Sequence, residues 1–405
     1  MKANPSGLSR ITQCSRLALL RRHCKSATVV LFLLLILSVT SAYCQIISGV
    51  PGVADDWVSS AGPIFNDSVL RGIELAFNDQ IGESLVIFER LELTYPDHPA
   101  PHFFKAAAYQ SYMSSFRINR FQKELEENVQ LAIAKGNKLL ERKDDPWLHF
   151  YVGGAYGYRA FNRFRKHDWI GAYLDGKRGI KNFKQALLKE PNLFDVYLGL
   201  GLYHYWRTAK SKFIGTIAFW IPDKRELGLR QLEFAIDHGL YAPNEASYAL
   251  VAACFDYGQY EKAMSIYDRT IARKRVLTVN DLYYKARLLI EFGRWSDVES
   301  LFKRILQQLE DAEFASVGYQ VECKYWIASA LVAQNRSFEA LGLLRDAIAQ
   351  STKRNPNLEL QGPFESFTEI KKRLDRLQEE SDKVKSIYSS PRENPLSSPC
   401  SYPFP

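Results

Sequence analysis

Cysteine is scarce in this chain: six residues in 405, three of them within the first 45. Beyond that segment lie only Cys254, Cys323 and Cys400. No paired Cys spacing suggests zinc, and no disulfide framework is visible. Cys254 and Cys323 fall among apolar neighbours at helical spacing, which predicts buried free thiols. The seven histidines are scattered. His98 and His102 are four apart, but Pro99 and Pro101 break any helix that would align them, so no metal site is expected. Also missing are a Ser/His/Asp order, a paired-carboxylate element and a His-Glu-x-x-His helix. These absences predict a protein that is not an enzyme and that carries no metal and no cofactor. The Gly-rich run Gly153–Gly157 has no preceding strand and no following Gly-Lys-Ser/Thr, which excludes a nucleotide loop. Gly153 and Gly157 instead share one helix face and predict a close approach of two helices, despite the roughly 1 kcal/mol that each glycine costs a helix interior.

Acid is absent from the N-terminal segment. The formal charge is +8 overall, yet residues 1–45 hold six basic residues and no Asp or Glu, leaving 47 basic against 45 acidic in the remainder. The body of the chain is therefore nearly neutral, and nucleic-acid binding is not expected. The basic segment precedes an apolar run, Ala27–Val39, and then Thr40-Ser41-Ala42. Those are the parts of a secretory signal. The run is short for a membrane span, which wants about 20 residues. Two outcomes stay open: cleavage near Ala42, or an uncleaved anchor over residues 27–43. Either predicts an exported protein of the periplasm or cell envelope, with membrane association through the N-terminus. Cys44 invites a lipid-anchor reading, but the bulky Tyr43 before it opposes one.

Helical periodicity fills the rest, and no β-pattern appears. A linker over 46–67 leads into helix pairs that are irregular over 68–240 and more regular over 241–350. In the regular part a first helix over Ser247–Phe255 is followed by a turn at Gly258 and a second helix from Glu261. The same order returns around Gly293-Arg294-Trp295, and again around Asn335-Arg336-Ser337-Phe338. Pairs of this size cannot bury their apolar faces alone and must stack on neighbours. The expectation is an all-α, antiparallel helix-pair solenoid. Region 351–388 supplies a capping helix, about Phe364 to Ile387, carrying Phe367, Ile370, Leu374 and Leu377. The tail from Ser389 has five prolines and five serines and is expected to be disordered. An apolar insertion at 212–222 is too short to span a bilayer; folding over the edge, gating the groove and touching a membrane all stay open.

These repeats resemble tetratricopeptide repeats. The residues that carry the likeness are Ala263 with Tyr267 after Gly258, Val298 with Phe302 after Gly293, and Ala340 with Leu344 after Asn335. The first pair shows Gly72, Phe88 and Pro96 in the same order, with Ser84 in place of the small Ala. The pairs run longer than the family's usual repeat, and its terminal Pro is missing after the fifth pair. The third and fourth pairs are also similar to exported bacterial repeat proteins of no assigned activity. The resemblance implies a superhelix whose inner groove holds a protein or peptide.

The region Arg159–Lys184 interleaves eight basic residues with aromatic ones against only Asp168 and Asp175. Arg159 and Arg163, four apart, share a helix face and could clamp an acidic partner if that face lines the groove. The expected contact set is Tyr151, Tyr158, Arg159, Arg163, Tyr203 and Arg207, within an adaptor or scaffold of the envelope. Two further readings stand beside it: a structural subunit assembling through its outer faces, and an enzyme with a site between 146 and 240.

Overall fold

The computed structural model describes residues 63–209, 222–272, 274 and 276–389. The stretch read above as an export signal, with Cys44, residues 46–62 of the expected linker, all of the insertion but Pro222, and all of the Pro/Ser tail but Ser389 lie outside them. Fifteen α-helices cover the described residues, with no strand longer than an isolated bridge. In chain order they are α1 (Pro63–Phe77), α2 (Ile81–Thr94), α3 (Ala100–Phe116), α4 (Gln122–Leu140), α5 (Pro146–Arg165) and α6 (Trp169–Lys189). Next come α7 (Val196–Ala209), α8 (Arg225–His238), α9 (Pro243–Asp256), α10 (Tyr260–Ile271) and α11 (Val279–Glu291). The set closes with α12 (Trp295–Asp311), α13 (Val317–Ala333), α14 (Ser337–Ser351) and α15 (Phe367–Ser389).

Starts and stops follow local chemistry. Asp145 caps α5 by accepting the Trp147 amide at 2.9 Å, with Pro146 at the first helical position, where its missing N–H costs nothing. Thr278 and Asp281 form a reciprocal capping box on α11. Turns within a pair need a left-handed residue, and the chain supplies Asp79, Arg117, His167, Gly258, Gly293 and Asn335, with φ between 52° and 75°.

Each odd-numbered helix from α1 to α13 packs antiparallel on the next even one, and α1, α3, α5, α7 and α9 also touch in succession as an inner layer. Small residues set the spacing. Ala263, Val298 and Ala340 are fully buried, as are their partners Tyr267, Phe302 and Leu344. In the first pair Ser84 is buried and donates to the Gly72 carbonyl at 2.8 Å, so the hydroxyl that replaces Ala is satisfied within the pair. A side chain at Gly153 would meet the Phe183 ring at 2.8 Å and the Gly179 carbonyl at 3.1 Å, so α5 and α6 do come together there. Gly157 plays no such part, since nothing lies within 4 Å of its Cβ position. The cap, α15, packs on α13 and α14 and buries Ile370 and Leu374. Cys254 and Cys323 are buried free thiols.

The superhelix closes on itself. Helix α3 packs against α11, distant along the chain but adjacent in space. Tyr241, before α9, stacks edge-on against Phe104 of α3 and Trp147 of α5 at 5.2 and 5.3 Å and donates to Asn66 of α1. Its loop is fixed by buried Asp195, which accepts the amides of Leu240, Tyr241 and Ala242 at 3.0, 2.6 and 2.8 Å. Phe77 of α1 meets Tyr248 of α9 at 5.1 Å, and the Ser316 amide donates to the Phe116 carbonyl at 3.2 Å. The centre is plugged by aromatic rings, each worth a few kcal/mol of burial.

Candidate functional site: an inner face filled by the chain's own segment

The link between α14 and α15, residues 352–366, crosses the inner face as a strip; a 3-10 turn over Pro356–Leu358 leads into a short extended stretch at 359–362 and a bend at 363–365. Its backbone pairs with the turn after α3. The Asn119 amide donates to the Leu358 carbonyl at 2.8 Å and the Leu360 amide to the Arg117 carbonyl at 2.9 Å, which makes an antiparallel bridge of Ile118 with Glu359. Three side chains then seat in the inner helices.

Glu359 lies at the N-terminus of α13, accepting from the Gly318 amide at 3.3 and 3.2 Å and from Arg354 Nε at 2.7 Å. A helix N-terminus and a guanidinium both favour a carboxylate there. Phe364 sits between Phe255 of α9, at 4.1 Å between centroids, and Tyr283 and Tyr284 of α11, at 5.9 and 5.4 Å. Glu365 accepts from Arg287 Nη1 at 2.7 Å and pairs with Arg373 of α15 at 2.7 Å.

Beneath the strip lies a buried charge centre. The Arg117 guanidinium, 4 % exposed, donates to Glu322 and lies over the rings of Tyr319 and Tyr283, at 3.6 and 4.5 Å from their centroids. Burial opposes its charge, but Glu322 and the two phenols more than offset that and hold its pKa above the ordinary value. Glu322, 3 % exposed, also accepts from the Tyr283 hydroxyl at 2.9 Å and faces Arg287 at 3.8 Å. Arg117 is at once the left-handed turn residue of the second pair and the link from that pair to α11 and α13.

A second polar group closes the ring beside α1. Lys274 Nζ donates to Asp281 at 2.8 Å and to the Phe77 carbonyl at 3.1 Å. Ser115 Oγ donates to Asp79 at 3.1 Å. Burial pushes the Asp79 carboxyl up to about 6 against the pull of Ser115 and Lys274, and draws the Lys274 ammonium down to about 8.

The contact set expected from sequence divides. Tyr151 is fully buried among Phe103, Phe104, Phe150 and Trp147, so it is core and not a groove contact. Its aromatic periodicity is that of an inner helix whose opening is filled. Tyr158 is half-buried with its ring 5.7 Å from Phe103. Arg159 and Arg163 do share a face, but their charge is taken within the chain. Arg159 grips the buried Asp175 with Nε and Nη2, both at 2.8 Å, while Arg163 reaches the same carboxylate at 3.2 Å and Arg178 at 2.9 Å. Burial opposes the Asp175 charge, but these guanidinium groups outweigh it and hold the carboxyl below its usual range. The two arginines therefore lock α5 to α6 and do not form a free clamp. Tyr203 and Arg207 sit together on α7, Arg207 Nη1 3.4 Å from the Tyr203 hydroxyl. Arg207 lines an open cavity of about 200 Å³ with His204, Thr208, Pro222 and Lys224. Sequence reasoning missed Arg117, Glu322, Glu359 and Phe364. The one available signal was the acid–aromatic–acid order in a link too long for a simple turn.

Stacked antiparallel pairs, small buried residues at each pair's crossing and left-handed turns decide the architecture. The fold is tetratricopeptide-like. No family model matches the chain, and no curated protein matches it. Among solved structures it is similar to PilW, a type IV pilus biogenesis factor, at 15% identity over 56% of this chain and 89% of that one, with a TM-score of 0.40. It is also similar to a thermophilic tetratricopeptide protein of Thermus thermophilus, at 18% identity over 55% of this chain and 97% of that one, TM-score 0.36. A third is the C-terminal part of a repeat-containing protein from Cytophaga hutchinsonii, at 14% identity over 71% of this chain and 97% of that one, TM-score 0.37. Likenesses at those scores say nothing of function, which has to come from this chain's own residues. Among the described residues no three His, Cys, Asp or Glu side chains gather to hold a metal, and no helix is long and apolar enough to cross a membrane.

Proposed function

We propose that the chain is a protein-binding scaffold whose inner face holds an extended segment presenting an acid, an aromatic ring and a second acid. The observation that carries this is the seating of Glu359, Phe364 and Glu365. Backbone pairing supplies affinity, and two carboxylate seats flanking one aromatic pocket supply specificity, which is how extended peptides are recognised on a sheet edge or groove. The chain's own strip then competes with any partner of that chemistry. A partner must displace residues 357–365 while α15 stays docked, so capture depends on partner concentration against a tethered rival. The basic, acid-free start and the Ala27–Val39 run support work at the cell envelope.

The test replaces residues 357–365 by a Gly/Ser linker of equal length and adds a fluorescent peptide of residues 355–366. The replaced chain should bind the peptide in fluorescence anisotropy, and the native chain much less. Reversing Arg287 to Glu in the replaced chain should abolish binding. A replaced chain that keeps its helical circular dichroism but ignores the peptide would refute the proposal. The double substitution Phe364→Ala with Glu365→Ala, which leaves the backbone strip intact, provides a milder opening should the linker impair folding.

A further inference from the structure

The outer surface carries one dense cluster of exposed apolar side chains, at the tip where α5 turns into α6. Phe161 and Phe164 end α5; Trp169, Ile170, Tyr173 and Leu174 begin α6. All six are exposed, Trp169 at 55%, Tyr173 at 58% and Ile170 at 77%. The other exposed large apolar residues of the described chain are spread singly or in twos along it. Isolated exposure needs no explanation, but a contiguous patch does. The patch is held rigidly: Asp168 caps α6 through the Gly171 amide at 2.9 Å, and Phe164 meets Trp169 edge-on at 5.0 Å.

Its surroundings are basic. Residues 159–184 carry eight Lys or Arg against Asp168 and Asp175, and Glu126 of α4 pairs with Lys166, which leaves a net +5. Asp175 is buried and consumed by three arginines, so it offers nothing outward. One turn further along the same face of α6 come Lys177, whose ammonium lies 5.6 Å from the centre of the Tyr173 ring, and then Lys181; both are exposed. Thus the exposed face of α6 is apolar and aromatic in its first two turns and cationic beyond.

We infer that this tip docks on an anionic lipid surface. Trp and Tyr prefer the headgroup layer, where the ring is half wet, and Ile170 and Leu174 would enter the acyl boundary. Lysine decides between a lipid and an acidic protein as occupant. Protein interfaces are depleted in Lys, whereas Lys at a membrane surface gains from the negative potential of the leaflet. The tip sits on a helix pair tied together by Asp175 and its three arginines, so it would enter a soft layer as one unit. This inference does not depend on the inner face being a peptide site.

The test is hydroxyl-radical footprinting of the full chain with vesicles of phosphatidylcholine alone or mixed with phosphatidylglycerol. Because the readout is the oxidation of individual side chains, it is separate from any attachment through the N-terminus. Trp169 and Tyr173 should be protected severalfold by the anionic vesicles and unprotected by the neutral ones. Lys177→Glu with Lys181→Glu should restore oxidation. Both side chains are exposed, so the fold should stand, which circular dichroism checks. Loss of one basic charge near the surface is worth about 1 kcal/mol, roughly fivefold in partitioning, so each charge reversal should weaken it by more than fivefold. Equal protection by neutral vesicles would overturn the inference. So would an unprotected tip on vesicle-bound chain.

Discussion

Replacing Arg117 with Met tests whether the superhelix is closed by the buried charge centre. Methionine keeps much of the length and the apolar stem and removes the charge. It leaves Glu322, 3 % exposed, with the Tyr283 hydroxyl at 2.9 Å and Arg287 at 3.8 Å as its remaining partners. Breaking one side of a buried pair costs about 3–5 kcal/mol, chiefly because a charge is stranded. The two lost ring contacts add to this, at roughly 1–2 kcal/mol each. Arg287 works the other way, since it can turn from Glu365 toward Glu322, so the lower part of the range, about 3–4 kcal/mol, is expected. Urea unfolding followed by circular dichroism and by tyrosine and tryptophan fluorescence reads the loss; using both probes guards against the stepwise unfolding of repeat arrays. Limited proteolysis should find the 352–366 link opened. Adding Glu322→Gln should recover part of the loss, because the stranded charge is gone while the Tyr283 contact survives. A loss below about 1 kcal/mol, or a double substitution that is strictly additive, would refute the reasoning.

Three other outcomes are expected. Asp79 has its pKa raised to about 6, so between about 4 and 6 the folded chain retains a proton that the unfolded chain has released, and stability falls as pH rises through that window. Asp79→Asn suits the left-handed φ of 60°, can keep the Ser115 contact, and should reduce this slope by Asp79's share, leaving that of Asp281, which burial pushes up to about 7. After allowing for the lost pull on Lys274 it should add about 2 kcal/mol above pH 6, measured as urea midpoints against pH. Asp195→Ala deprives three buried amides of their acceptor and should cost about 3 kcal/mol or more, with the Tyr241 loop exchanging its amide hydrogens faster. Gly153→Val drives a side chain into Phe183 and the Gly179 carbonyl and should cost about 1–3 kcal/mol in thermal or urea unfolding, whereas Gly157→Ala should be neutral or slightly stabilising.

Local structure was legible in the sequence because its causes are local. Gly258, Gly293 and Asn335 mark turns by their own conformational freedom, and Ala263, Val298 and Ala340 mark crossings by size. Helix limits come within a few residues of those read from periodicity, although α1 begins at Pro63, inside the stretch read as a linker. Closure was not legible. Tyr241 and Asn66 are 175 positions apart, and no pattern along the chain announces that they touch. The same holds for the groove. Aromatic spacing placed Tyr151 on an inner helix, but whether an inner helix faces solvent or another part of the superhelix depends on curvature, which no single repeat encodes. For Arg159 and Arg163 the shared face was right, while their charge balance was set by Asp175, sixteen residues on from Arg159 and across the helix pair. The strip at 357–365 carried its acid–aromatic–acid order in plain view, yet its seats come from α9, α11 and α13 and the turn after α3.

Contact between α3 and α11 also fixes how many repeats the protein can have. An open solenoid is modular: a unit gained or lost changes its length and little else, because each unit touches only its neighbours. Here the second and sixth pairs must meet, so an added or deleted pair between them would rotate Arg117 away from Glu322 and Ile118 away from Glu359 together. Lineages of this protein should therefore vary in loop length, while the number of helix pairs from α1 to α13 stays constant.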